Sequence, residues 1–110
     1  MFEHLNSILP LDRLYESPLL LAYYHPEPVY PIHILIVPKK TIRDVLDLAE
    51  RSDEYRLELL EEVLRCVREL VLKMHLEEVG YRIIVNGGSY QKVGELHFHL
   101  VSGEIPARHE

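Results

Sequence analysis

Glu95, His97 and His99 alternate with Leu96, Phe98 and Leu100 in a segment that closes on Val101. In a strand, alternate side chains share a face. The carboxylate and the two imidazoles therefore project together, roughly 6–7 Å apart at about 3.3 Å of rise per residue. The opposite face is apolar and must meet a core. Histidine is the side chain best suited to nucleophilic attack or proton transfer near neutral pH, so the polar face reads as a site for that chemistry. Two other readings fit the same residues. One is an exposed edge strand that is polar on one side. The other is a metal site of Glu95, His97 and His99 with His33, because two histidines and a carboxylate form the facial triad of some iron enzymes. Same-face neighbours on one strand fan outward and rarely converge on one ion, and no zinc quartet is readable.

The elements that must position these residues follow from periodicity. Residues 1–13 form a lead-in with some helix ended by Pro10. Leu14 to Tyr24, broken at Ser17-Pro18, reads as two short strands and a turn. His25-Pro26-Glu27-Pro28 is a rigid loop, since its prolines exclude helix and central strand. Ile32 to Val37 is a β-branched strand ended by Pro38. Thr41 with Asp44 three residues on resembles a capping box, predicting a short helix over 42–50. A long helix follows from Ser52 or Asp53 to Val79, with Gly80 as its C-terminal cap. It carries two adjacent apolar series: Leu57, Leu60, Leu64, Val67, Val71, Met74, and Leu59, Val63, Cys66, Leu70. A surface helix needs only one stripe. The second implies burial on another side, and a second subunit is the expected partner. Arg82 to Val85 is a strand, Gly87 to Gly94 a loop, Leu96 to Ser102 the last strand, and residues 104–110 a polar tail. The order gives an α+β domain with an antiparallel sheet, one short helix and one long helix to one side.

Bulk properties narrow the function. The chain has 110 residues, 47% of them hydrophobic, which suits one domain with one core. Its formal net charge is −6, a poor match for a long nucleic-acid backbone, which Lys and Arg must neutralise. A mononucleotide needs only a few local donors. No apolar run approaches the roughly 20 residues of a membrane helix, so no membrane association is expected. The start lacks a basic segment followed by an apolar one, so no secretion signal is expected. Cys66 is the single cysteine and a cytoplasmic setting is expected.

With these residues in place the chain resembles the histidine-triad (HIT) family, and within it the nucleotide-binding Hint branch. The family signature His-φ-His-φ-His-φ-φ (φ apolar) is matched by Glu95-Leu96-His97-Phe98-His99-Leu100-Val101, with Glu95 in place of the first histidine. Pro31-Ile32-His33-Ile34-Leu35-Ile36-Val37-Pro38-Lys39-Lys40 is similar to its Pro-x-His-φ-φ-φ-φ-Pro-Lys block. Gly80-Tyr81-Arg82-Ile83-Ile84-Val85-Asn86 is similar to its Gly-Tyr-Arg-φ-φ-φ-Asn strand, and Gln91-x-Val93 to its Gln-x-Val. The resemblance covers residues 14–103. It implies a single HIT-like domain over 1–110, forming a homodimer through the long helix and the sheet edge. It implies a nucleotide-binding hydrolase or transferase, acting without cofactor or metal at the α-phosphate of a nucleoside phosphoramidate or dinucleotide, with a purine nucleotide or conjugate as ligand. His97 becomes the nucleophile, His99 and His33 its catalytic partners at the phosphate. Asn86, His25, Gln91, Lys92 and Glu95 become substrate-binding residues. The base pocket would draw on Leu5, Ile8, Tyr23 and Ile34.

Three departures from the pattern matter. Glu95 replaces a histidine. His25, eight residues before His33, stands where many members use an Asp on the ribose hydroxyls. Lys92 stands where better-known members have a small hydroxyl residue, and the loop from Asn86 to Gln91 is about two residues shorter. A carboxylate 4 Å from a phosphate at an effective dielectric near 20 costs about 4 kcal/mol before screening. Pairing of Glu95 with His33, leaving His33 charged and His97 neutral, would offset that. The alternative is a catalytically weak or inactive nucleotide-binding module.

Overall fold

The computed structural model describes residues 12–105. The expected helix before Pro10, Leu5, Ile8, His4 and His109 lie outside the described residues. Five strands form one antiparallel sheet: β1 Arg13–Glu16, β2 Leu20–Tyr24, β3 Ile32–Pro38, β4 Arg82–Val85 and β5 Phe98–Ser102, in the order β1-β2-β3-β5-β4. The α+β architecture matches the expectation. Ser17 closes the β1–β2 turn, its side chain accepting from the N–H groups of Leu19 and Leu20.

Alternation sorts each strand. Ile34 and Ile36 of β3, Phe98 and Leu100 of β5, and Leu20 and Ala22 of β2 join the main core under the helices. Leu21, Tyr23, Leu35 and Val37 form a smaller apolar cluster joined by Val93. Ile34 is thus sealed in the helix-side core, on the opposite face from His33, and cannot line a base pocket with Tyr23.

Two helix boundaries differ from the sequence reading. The short helix, α1, is Val45–Ala49, and its N-cap is Asp44 rather than Thr41. The Asp44 carboxylate accepts from Asp47 N–H at 2.8 Å, so the acid expected at the third position of a capping box is itself the cap. Thr41 contributes its carbonyl, which accepts from Arg51. The long helix, α2, starts as expected after the N-cap Ser52 but ends at Lys73 rather than Val79. Met74 N–H returns to Leu70 O and His75 N–H to Leu72 O, and His75 then takes the left-handed conformation at φ 57°. That turn lets Leu76, at 3% exposure, plug the core at the start of a final turn, α3 Leu76–Val79, closed by Gly80 at φ 101°.

Along α2, Leu59, Val63, Cys66 and Leu70 are buried in the core, with Val67 and Val71 beside them. Burial pushes the Cys66 thiol up to about 12. Leu57, Leu60 and Leu64 remain exposed at 62%, 41% and 65%. The two series therefore divide: one serves the chain's own core, and the N-terminal part of the other faces outward. Glu62, buried on the same helix, accepts from the Tyr15 hydroxyl at 2.7 Å and ties α2 to β1. Lys39 and Lys40 are engaged rather than merely solvated: Lys39 pairs with Glu16, and Lys40 lies over the Tyr55 ring.

Candidate functional site

β5 begins at Phe98, two residues later than the sequence reading placed it. The ladder pairs Ile36 with Phe98. The next rung would set Leu96 opposite Pro38, which has no N–H to offer. Leu96 N–H instead donates to Ile42 O at 2.7 Å. Glu95 is thereby lifted out of the strand, beside Val37, Pro38, Lys40, Thr41, Ile42 and Leu96. His97 and His99 of the expected row lie side by side, their rings 5.0 Å apart, centre to centre.

The ladder brings in the remaining histidines. Leu35 pairs with His99 and His33 with Val101, so the His33 ring sits 5.0 Å from that of His99. His25 N–H bonds His33 O at the end of β2, and its ring packs 4.5 Å from His33 and 6.3 Å from His99. Tyr30 meets His33 edge-on at 5.5 Å. His25, His33, His97 and His99 thus form one cluster on the sheet face away from α2.

Backbone partners set the proton positions in this cluster. Val29 N–H donates to His33 Nδ1 at 3.0 Å, so neutral His33 carries its proton on Nε2. That Nε2–H donates to His99 Nδ1 at 2.8 Å, which places the His99 proton on Nε2. Glu27 N–H donates to His25 Nδ1 at 2.9 Å, so His25 too is an Nε2–H donor. His97 is the reverse. Its Nδ1 lies 2.8 Å from the backbone oxygen of Glu95, which can only accept. Neutral His97 therefore holds its proton on Nδ1 and its lone pair on Nε2. One ring carries a nucleophilic nitrogen, while His25 and His99 each offer an N–H.

Three of these rings, His25, His33 and His99, resist charge. Burial, and then His25, press the His33 pKa down to about 4. Burial, then His97, His33 and His25, press His99 down to about 4. The His25 pKa is lowered as well, chiefly by burial. The expected Glu95–His33 ion pair is corrected by geometry: both His33 nitrogens are already taken, by Val29 N–H and His99 Nδ1.

The other candidates divide. Asn86 directly follows β4, whose Ile84 pairs with His99. Lys92 lies exposed in the loop before β5. The Gln91 side chain is engaged with backbone: its Nε2 donates to Arg43 O at 2.7 Å and to Val93 O at 3.0 Å. Among the described residues, no group of three or more His, Cys, Asp or Glu is arranged to hold a metal ion. The amide of Val29 and the carbonyl of Glu95 escaped the sequence reading, because backbone groups leave no mark on residue type. The only hint was the spacing of Pro26, Pro28 and Pro31 around Val29.

Comparison with known proteins gives concordant results. The profile of the HIT domain matches residues 7–105. An uncharacterized HIT-like protein of Synechococcus elongatus is 37% identical over 97 residues, covering 86% of this chain and 81% of that protein. The crystal structure of a HIT family hydrolase from Legionella pneumophila Philadelphia 1 superposes with TM-score 0.82 at 32% identity, over 94% of this chain and 92% of that one. That of a histidine triad nucleotide-binding protein from Candida albicans superposes with TM-score 0.77 at 25% identity, over 94% and 74%.

Proposed function

The chain belongs to the HIT family, and from that membership we propose that it is a nucleotide-binding hydrolase or transferase working through His97. The substrate is a purine nucleoside phosphoramidate or dinucleotide. The reading is carried by one observation: Glu95 O holds His97 Nδ1–H, which keeps the lone pair on Nε2. His97 Nε2 attacks the α-phosphorus, the bond to the leaving amine or nucleotide breaks, an amine departing with a proton taken up from solvent, and a nucleotidyl-histidine forms. The ring then carries positive charge, which the Glu95 carbonyl dipole steadies through the same hydrogen bond. Water attacks the phosphorus, the P–N bond to His97 breaks, and a nucleoside monophosphate leaves. The Nε2–H groups of His99 and His25 serve as donors to phosphate oxygens, and their neutrality spares the site the repulsion that extra imidazolium charge would bring to His97.

The test is release of AMP from adenosine phosphoramidate. His97→Ala is expected to cut turnover by about 10³-fold or more, as for loss of a covalent nucleophile. Equal rates for the two proteins would sink the proposal. A second reading, nucleotide binding without turnover, is favoured by Glu95 standing at the first triad position, together with Lys92 and His25. Micromolar binding of AMP or GMP by calorimetry with no turnover supports that reading, and no binding defeats it.

The working form is a homodimer joined through α2 and the β4 edge. Supporting this are the exposed Leu57, Leu60, Leu64 and Leu72 of α2 with Ile83 and Val85 of β4, and the terminal place of β4 in the sheet. No helix among the described residues is long and apolar enough to cross a membrane.

A further inference from the structure

The tautomer of His97 depends on where the Glu95 carbonyl points. Residues 91–97 belong to no helix or strand. Gly94 packs so loosely that a Cβ added there would meet nothing within 4 Å. The segment is instead fastened at its two ends. On the far side, Leu96 is buried and its N–H donates to Ile42 O. On the near side, the Gln91 amide donates to both Arg43 O and Val93 O, and the Val93 side chain packs on Leu21, Tyr23, Leu35 and Val37. Gly94 and Glu95 lie between these fastenings.

The fastening points are themselves anchored. Both Arg43 O and Ile42 O belong to the stretch just before α1. Arg43 N–H donates to Asp47 Oδ2 at 2.9 Å, and Arg51 bridges Asp47 and Thr41 O. Hydrogen bonds therefore tie both ends of the segment that carries Glu95 O to the stretch that leads into α1.

We propose that Gln91 is a positioning residue for His97: its amide, seated on Arg43 O and Val93 O, aims the Glu95 carbonyl at His97 Nδ1. Its effect on turnover rests on the reading of His97 as nucleophile; its effect on the ring does not. Gln91→Met keeps the bulk and removes the amide. Gln91→Glu keeps the shape and replaces both N–H donors with acceptors facing carbonyls. Histidine ring nitrogen signals, recorded on protein with 15N-labelled histidine at a pH where His97 is neutral, report its tautomer directly.

In both variants the His97 Nδ1–H form is expected to lose population to Nε2–H. kcat on adenosine phosphoramidate is expected to fall about three- to tenfold, the scale of one or two weakened hydrogen bonds. KM and AMP affinity should stay within about twofold of the wild type, because a positioning residue does not touch the ligand. Arg51→Ala, acting one link further out, should move the same signals less. Unchanged His97 signals in both Gln91 variants overturn the proposal, and so does a raised KM at unchanged kcat, which marks Gln91 as a substrate contact. A wild-type protein with no turnover defeats the proposed activity instead, and the ring signals alone then decide the role of Gln91.

Discussion

His33 and His99 hold their protons in an order that begins at one amide, the N–H of Val29. The consequence can be tested ring by ring. Both imidazoles sit in surroundings that resist charge, so their ring protons should titrate with midpoints about 4 rather than the ordinary 6.5. NMR titration showing either ring near its ordinary value would contradict the relay. The sign for stability follows. Above the ordinary value, the folded and unfolded chains are both neutral at these rings. As the pH falls from 6.5 toward 4, the unfolded chain takes up protons that the folded chain refuses. Stability should therefore decline through that window on account of these two rings. Glu95→Gln should leave the His33 midpoint in place, since burial and His25 account for it. The residue types of this site were legible in the sequence, down to the pairing of His97 with His99. Their protonation was not, because it depends on Val29 N–H, Glu27 N–H and Glu95 O, groups that every residue except proline carries in kind.

The elements place those rings through two kinds of restraint, and each has a measurable weight. Asp44 caps α1 with its carboxylate on Asp47 N–H, and α1 anchors the 41–43 stretch. Asp44→Ala should cost about 1 kcal/mol of stability, the usual worth of an N-cap, seen as a lower urea midpoint at unchanged slope. Gly103 ends β5 at φ 86°, and a Cβ there would lie 2.6 Å from Pro31 Cγ, at the entry to β3. Gly103→Ala should cost about 1–3 kcal/mol, from the left-handed backbone and the clash together; a thermal midpoint equal to the wild type's would refute the strain. The strands and the start of α2 were readable because period-2 and period-3.6 patterns and Ser52 are local signals. Three boundaries were not. Thr41 and Asp44 are both competent caps, and only the fold chooses between them. The break at His75 has no proline or glycine to announce it and serves the burial of Leu76. The late start of β5 comes from Pro38, sixty residues from Phe98 and adjacent only once the sheet has formed.

At the scale of the whole molecule, the sheet has two edges, β1 and β4, and they differ. Next to β4, Leu64, Val67, Val71, Leu72, Tyr81 and Ile83 line a largely apolar groove that also takes in Arg68 and Glu77. Exposed apolar surface of this extent beside an open strand favours a second copy of the same face. Sedimentation equilibrium should give twice the chain mass. Leu64→Lys should shift it toward one chain mass while sparing the core, because Leu64 is 65% exposed. A wild type that sediments as a single chain at micromolar concentration would refute the homodimer.

Cys66 lies at the centre of the same helix, with no exposed surface and a thiol pushed up to about 12. A thiolate is the reactive form, so a soluble alkylating reagent finds nothing to attack until α2 parts from the sheet. The chain thus carries its own clock. With reagent concentrated enough for alkylation to outpace reclosing, the rate at which Cys66 takes up label is the rate at which the native state opens, and with less reagent it reports how much of the chain stands open.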